Sequence, residues 1–431
     1  MTYTEALAYL HSLRQFGFQP GLDTTRRLAA LAGNPEATLR FLHVAGTNGK
    51  GSVCAMLESI HRAAGRRTGL YTSPHLVRFG ERIQVNRQPI PDADLARWTG
   101  WLRERVATAT PPLEPTFFEF TTVLALCWFR EQAVELVIWE TGLGGRWDAT
   151  NIVTPLAAVV TNVGWDHMHV LGKTLAAIAS EKGGIFKPGI PALTAAQDPD
   201  ALAVLEFKAR EVDAPFLTVG PAAVAQLRCP LPLLGEHQRW NAALAAAVIR
   251  TLRVLLPVTD EQLNRGLETV SWPGRLQVLP RGSQTFLLDG AHNREGVTAL
   301  RAALETHFPG RRPTLLIGML ADKEWRAMAR ELVPLAARVV TVPVASERTV
   351  SSADLRSACQ TSGVTRPVKA ASDVQEALRW VAADPFVLVT GSLYLIGEVL
   401  EHLGDPVAGG PAGEGGERAL NEWGGGPRPS A

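Results

Sequence analysis

The stretch Phe41-Leu42-His43-Val44-Ala45-Gly46-Thr47-Asn48-Gly49-Lys50-Gly51-Ser52 decides the fold of this 431-residue chain. Phe41 to Ala45 is a short, mostly apolar run of the kind that forms a buried strand, and from Gly51 to Ala64 the pattern is helical. Between them, three glycines allow backbone N–H groups to close around phosphate oxygens at the start of a helix, whose dipole adds positive potential. Lys50 supplies a mobile cation and Ser52 a hydroxyl for Mg²⁺. The spacing departs from G-x-x-x-x-G-K-[ST], because Gly51 separates Lys50 from Ser52 and only Thr47 and Asn48 lie between the first two glycines. A lone pair of glycines here would read as a flexible turn. Three, with Lys and Ser, read as a nucleoside-triphosphate cradle formed by Gly46, Thr47, Asn48, Gly49, Lys50, Gly51 and Ser52.

Working outward, short β-branched runs keep alternating with helix-length segments: Leu136 to Trp139, then Ala157 to Thr161 ahead of Leu175 to Ser180. Such βα alternation predicts a parallel sheet. The rhythm restarts after Trp272-Pro273-Gly274, where proline cannot continue a helix and glycine relaxes the turn. Strands are predicted at Thr285 to Leu288, Thr314 to Ile317, Arg338 to Val342 and Phe386 to Thr390, with helices near Arg294 to His307, Glu324 to Leu332 and Val374 to Ala382. The expected fold is therefore α/β: a P-loop-containing, parallel-sheet N-terminal ATPase domain over residues 1–276 with a hinge near 271–276, then a smaller Rossmann-like domain over 277–404. From Asp405 the composition collapses into Gly, Pro, Ala and Glu, which predicts a flexible tail over 405–431 without a function.

Lys plus Arg number 43 against 42 Asp plus Glu, a formal charge of +1, so no basic surface for nucleic acid is expected. The longest apolar stretches, such as Ala242 to Ile249, are too short to span a bilayer, and Met1 to Leu10 does not read as a secretory signal. The expectation is a cytoplasmic monomer. Cys54, Cys127, Cys229 and Cys359 stand singly, without metal-ligand spacing, and read as buried thiols.

A P-loop alone fits a kinase, a motor or a ligase; further motifs narrow the choice. They are Thr72-Ser73-Pro74-His75-Leu76 running on to Phe79-Gly80-Glu81-Arg82-Ile83, Glu140-Thr141-Gly142-Leu143-Gly144-Gly145-Arg146 with Asp148, Thr150 and Asn151, and Asp166-His167. Three more follow: Glu181-Lys182-Gly183-Gly184-Ile185-Phe186-Lys187-Pro188-Gly189, Leu234-Gly235-Glu236-His237-Gln238-Arg239-Trp240-Asn241, and Asp289-Gly290-Ala291-His292-Asn293. In this order the series resembles the folylpolyglutamate synthase and dihydrofolate synthase family, relatives of the Mur ligases, over most of residues 40–400. Gly183 stands where the family more usually has alanine, and Arg294 where it has proline.

Glu140 ends an apolar strand and should project at the carboxyl edge of the sheet, where open α/β folds place ligands. With Ser52 it is chemically sufficient for one Mg²⁺ that also takes phosphate and water oxygens; a strand-end carboxylate capping the glycine turn is the plainer alternative. The resemblance adds Ser73 and His167 as metal ligands, although an isolated histidine is more often a packing residue. It also makes Lys182 the site of a carbamate, against an ordinary Glu181–Lys182 surface pair. Gln238, Asn241, Asp289 and His292 become nucleotide contacts by the same resemblance, with helix and turn capping as their structural alternative. Arg275, at the predicted hinge, could reach the γ-phosphate on closure. The Ser73-Pro74-His75 to Arg82 segment resembles the family's mobile loop over ATP and folate; His292 and Ser392 are implied contacts for glutamate, and Phe117, Phe118 and Trp147 offer flat apolar surfaces to a pterin, with core packing as their alternative.

These parts predict an ATP-dependent amide ligase that adds L-glutamate to a folate through an acyl phosphate. The resemblance implies ADP and phosphate as products and dihydropteroate as a second acid substrate. A Mur-type amino-acid ligase of cell-wall precursor synthesis, a P-loop phosphotransferase and a nucleotide-gated binding protein are the competing readings.

Overall fold

The computed structural model describes residues 1–17, 19–363, 366–404 and 417–421. Two sheets organise it. The first holds β1 (Phe41–Ala45), β2 (Thr68–Tyr71), β3 (Ile83–Val85), β4 (Gln88–Pro89), β5 (Leu136–Glu140), β6 (Ala157–Val160), β7 (Ala192–Thr194) and β8 (Phe216–Thr218), in the order β4-β3-β2-β5-β1-β6-β7-β8. From β2 to β8 every pairing is parallel, and the β2–β3–β4 edge is antiparallel. β1 is central: the chain crosses from it to β2 on one side, returns through β5, and then continues to β6 on the other. That reversal opens a crevice beyond the carboxyl ends of β1, β5 and β6.

The helix Lys50–Ala63 lies at the centre of the first domain, with every residue from Ser52 to His61 buried. Its apolar side packs with the helices Glu236–Thr251 and Asp260–Glu268 in one core on one face of the sheet. On the opposite face the helix Phe117–Glu131 and the rings of Phe41, Tyr71 and Trp139 form a second core, in which Phe41 and Trp139 meet edge to face at 5.6 Å. Each such fully buried aliphatic or aromatic side chain contributes about 1.5–3 kcal/mol relative to exposure.

The second sheet holds β9 (Gln277–Arg281), β10 (Gln284–Asp289), β11 (Thr314–Ile317), β12 (Arg338–Thr341), β13 (Val368–Ala370) and β14 (Phe386–Thr390), ordered β13-β12-β11-β14-β10-β9. Only the β9–β10 pair is antiparallel; β9 sits at the edge, where Pro280 removes no interior ladder bond. Apolar cores cover both faces. The four cysteines are buried free thiols, and among the described residues no helix is long and apolar enough to cross a membrane.

The expectation of a featureless tail is corrected in part. Residues 405–416 and 422–431 lie outside the described residues, but Arg418–Asn421 forms a short 3₁₀ turn docked on the first domain, with Leu420 1% exposed in its core. Composition averaged over the tail conceals one apolar anchor flanked by residues that hydrogen-bond.

Candidate active site

The strand-to-helix turn is clamped from the neighbouring strand exit. Thr47 N–H donates to the Asn162 carbonyl at 3.1 Å, Asn48 N–H to Asn162 Oδ1 at 2.7 Å, and Thr161 Oγ1 donates to the Asn48 carbonyl at 2.6 Å. Gly49 adopts φ +83°, and a Cβ there would lie 2.6 Å from Asn241 Oδ1, so both conformation and space require glycine. Lys50 Nζ donates to the Gly46 and Thr47 carbonyls at 3.0 and 3.3 Å, which folds the ammonium over the loop. Ser52 is buried at the first turn of the helix and accepts from Gln238 Nε2 at 3.2 Å; Asn241 Nδ2 in turn donates to Gln238 Oε1. Gln238 therefore faces the site, while Asn241 supports the loop from behind.

Glu140 stands at the carboxyl end of β5, 3% exposed, and its Oε2 accepts from Ser73 N–H at 3.0 Å. Burial raises its carboxyl to about 7, despite the nearby Lys50 cation. The Gly144-Gly145 turn that follows packs directly on the helix Leu175–Gly183: Arg146 N–H donates to the Glu181 carbonyl, and a Cβ on Gly145 would be 2.9 Å from the Lys182 carbonyl. Lys182 is 3% exposed, and burial, reinforced by Lys50, holds its amine well below the usual lysine range. It is buried in the site wall and makes no surface pair with Glu181.

Asp166 joins the two domains. Its carboxylate lies 2.6 Å from Lys323 Nζ and 3.6 Å from His292 Nε2, and accepts from Asn293 Nδ2 at 3.3 Å. Burial alone would raise this carboxyl, but the His292 imidazole and the Lys323 ammonium hold it well below the usual range. Asn293 also exchanges side-chain hydrogen bonds with Asn48 of the P-loop. His167 Nε2 is 3.8 Å from Asp166, and burial pushes its imidazole down to about 3, so it presents a neutral ring. Across the gap, both oxygens of Asp289 accept backbone N–H groups, from Leu276 at 2.9 Å and Ala291 at 3.0 Å, which pins the backbone beside Arg275. Ser392 caps the helix Leu393–His402 by accepting from Tyr394 N–H.

One cavity of about 440 Å³ collects these groups, lined by the P-loop, Ser73, Pro74, Arg82, Phe118, Glu140, His167 and Lys182 from the first domain. From the hinge and second domain come Arg275, Asp289, His292, Lys323 and Ser392. A volume of that order accommodates an organic ligand. His75, expected among the folate contacts, lies behind Arg82: its Nδ1 accepts from Arg82 Nε at 2.8 Å, which makes Nε2 the protonated nitrogen that donates to the Glu417 carbonyl at 2.9 Å. The Ser73–Arg82 loop is tethered by Glu81, whose carboxylate accepts from the N–H groups of Leu76, Val77 and Arg78. Sequence reasoning left Lys323 and Asn293 without a role, and Asn421 without even a structure. The signal for Asn293 was its place in the Asp289–Asn293 motif, for Lys323 only its position after a predicted strand, and for Asn421 there was none.

Among the described residues no three His, Cys, Asp or Glu side chains form a metal cage. Buried Glu140 with the Ser52 and Ser73 hydroxyls offers a small set of hard oxygens, which fits a Mg²⁺ that brings most of its ligands as phosphate and water.

A P-loop on one α/β sheet, facing a second α/β sheet across a shared cavity, defines a two-domain ATP-dependent ligase. Residues 44–220 match the family described as Mur ligase middle domain, and residues 274–393 match the Mur ligase, glutamate ligase domain. The chain is 36% identical to the dihydrofolate synthase/folylpolyglutamate synthase of Bacillus subtilis, over 93% of this chain and 99% of that one. To the folylpolyglutamate synthase of Lacticaseibacillus casei it is 34% identical, over 94% and 99%. Among solved structures, E. coli FolC in complex with DHPP and ADP superposes with a TM-score of 0.84 at 31% identity, covering 94% of this chain and 98% of that one. The chain belongs to the folylpolyglutamate synthase/dihydrofolate synthase family, whose reaction is the ATP-dependent ligation of glutamate to a folate.

Proposed function

We propose that this chain adds L-glutamate to tetrahydrofolate and also converts dihydropteroate to dihydrofolate, using one cavity for both acids. The observation that carries the reading is the convergence of Lys50, Glu140 and Arg82 from the first domain and Arg275, His292 and Ser392 from the hinge and second domain on that cavity. The Gly46–Ser52 backbone and Lys50 hold the triphosphate, with Gln238 fixing Ser52, and Asp289 and His292 close the nucleotide end. Phe118 offers an apolar face to the pterin. Arg82 has Nε and Nη2 committed to His75 and Asn421, while Nη1 makes no hydrogen bond among the described residues, so a cationic edge remains for the acid substrate.

A carboxylate oxygen of the acid takes the γ-phosphoryl group, and the bond to the β-phosphate oxygen breaks to release ADP. The glutamate amine then attacks the acyl carbon, loses a proton, and inorganic phosphate departs as the amide forms. Lys50 and Arg275 neutralise charge that develops on the transferred group. Domain closure through Asp166 and Lys323 aligns the reactants and excludes water that would hydrolyse the acyl phosphate. Ser52, Ser73, Glu140 and His167 are the residues that would hold Mg²⁺, which supplies charge neutralisation to the phosphates when bound. Lys182, whose amine burial holds well below the usual lysine range, is suited to carbamylation, since only the free amine reacts with carbon dioxide. The chain works in the cytoplasm as a monomer.

The test offers ATP, Mg²⁺ and glutamate with dihydropteroate and with tetrahydrofolate in separate reactions, following the amide product by mass. Amide from both acids is expected. Product from tetrahydrofolate alone removes the dual activity, and glutamate-independent phosphate release with no amide removes ligation.

A further inference from the structure

The segment Glu417–Asn421 packs into the wall of the cavity, and its polar atoms are directed at the loop that carries Arg82. Glu417, Leu420 and Asn421 are 4%, 1% and 7% exposed. Asn421 Oδ1 accepts from Arg82 Nη2 at 2.5 Å, while its Nδ2 donates to the His75 carbonyl at 2.8 Å, so one amide holds both ends of the loop. Glu417 adds a second clamp: Phe79 N–H donates to its Oε2 at 2.7 Å, and its carbonyl accepts from His75 Nε2 at 2.9 Å. Arg418 pairs with Glu401 on the helix Leu393–His402 of the second domain, so the segment touches both domains. Leu420 and Asn421 themselves line the cavity.

A buried guanidinium has several rotamers of similar energy, and a ligand selects one at an entropic cost unless a fixed acceptor has already done so. Asn421 is such an acceptor. A neutral amide orients the charged fork without neutralising it, whereas an aspartate there would consume the cation. The rings of Phe79 and Phe117 pack against the guanidinium, 5.8 and 5.4 Å from its carbon, and Arg82 with Phe117 lines the cavity.

We infer that the C-terminal segment Glu417–Asn421 is a built part of the acid-substrate pocket, in which Asn421 is a positioning residue that sets the Arg82 guanidinium for the folate-class acid. The inference rests on the assignment of Arg82 to that acid. It predicts that the residues beyond the second sheet govern recognition of the acid and leave nucleotide recognition to the P-loop.

The experiment measures kcat and the KM values for tetrahydrofolate and ATP in the full-length chain carrying Asn421→Ala, Asn421→Gln or Arg82→Ala, with a thermal melt of each. Asn421→Ala should raise the folate KM about tenfold, the loss expected for one hydrogen bond to a charged group, while the ATP KM stays within about twofold. Asn421→Gln should recover part of the loss. A folate KM unchanged in Asn421→Ala but raised in Arg82→Ala would overturn the inference and leave the pocket assignment standing. No change in either variant would remove both. Equal rises in the two KM values, or a fall in kcat alone, would also overturn it, as would a folate KM that rises only in step with a lowered melting temperature. Should Asn421→Ala not fold, Leu420→Ala provides the same comparison, because it loosens the segment without touching the guanidinium.

Discussion

Lys323 Nζ sits 2.6 Å from Asp166 Oδ1, linking the loop after β11 to the loop after β6, and both side chains are about nine-tenths buried. The pair spans the two domains and lies against the cavity. Replacing Lys323 leaves the buried Asp166 carboxylate with only the Asn293 amide and the His292 imidazole, a loss the protein relieves most easily by opening the gap. Lys323→Met should therefore lower kcat about 100-fold with little change in the ATP KM, and enlarge the radius of gyration seen by X-ray scattering. The Asp166 carboxyl is depressed in the folded state, so its contribution is fully present above the unfolded value of roughly 3.9 and is lost only as pH falls through the lower folded value. The Lys323→Met defect should accordingly be constant over the neutral range. A defect that grows steadily with pH would contradict this assignment.

Burial of Glu140 costs stability at neutral and higher pH. Its carboxyl is raised to about 7 by burial, so it binds a proton more readily in the folded chain than in the unfolded one. Its stabilising contribution is present below the unfolded value of roughly 4.3 and lost as pH rises through the folded value. In nucleotide-free, magnesium-free protein, Glu140→Gln should thus stabilise the fold by on the order of 3 kcal/mol at pH above about 8, seen as a higher melting temperature, and change little near pH 4. The same variant should be inactive. Full activity in Glu140→Gln would sink its assignment to the metal.

Lys182 predicts a spectroscopic signature. With ¹³C-bicarbonate, the wild-type chain should show a carbamate carbon resonance that disappears in Lys182→Ala, and turnover should fall by at least about 100-fold. A spectrum without that resonance, in protein that turns over normally, excludes the modification.

Gly49 tests the cradle itself. The φ of +83° and the 2.6 Å approach to Asn241 Oδ1 mean that Gly49→Ala should cost about 1–3 kcal/mol of stability and weaken nucleotide binding. Removing the steric partner as well, in Gly49→Ala/Asn241→Ala, should recover only part of it, since the backbone conformation remains strained. Complete recovery would mean that the close approach alone requires glycine.

Much of this architecture was legible because it is local. Phe41–Ala45 and Phe386–Thr390 are mostly apolar, continuously buried strands, and each is followed by a Gly or Ser turn into a helix, which is the signature of parallel βα units. The antiparallel edges were not legible: Ile83–Val85 was absorbed into a loop motif, and Gln277–Arg281 carries polar ends and Pro280. For the site, the P-loop and Glu140 could be read from a turn and a strand end, whereas the Asp166 cluster assembles residues 166, 292, 293 and 323, which only the fold brings together. Asn421 could not be read at all, because a docked turn of four residues leaves no periodicity in a Gly-rich background.

The central claim is that the P-loop's terminal phosphate is passed to an organic acid before glutamate arrives. An acid substrate labelled with ¹⁸O in the reacting carboxylate tests it in one measurement. The account predicts that each amide formed is accompanied by one inorganic phosphate carrying a single ¹⁸O; unlabelled phosphate released alongside amide would contradict it.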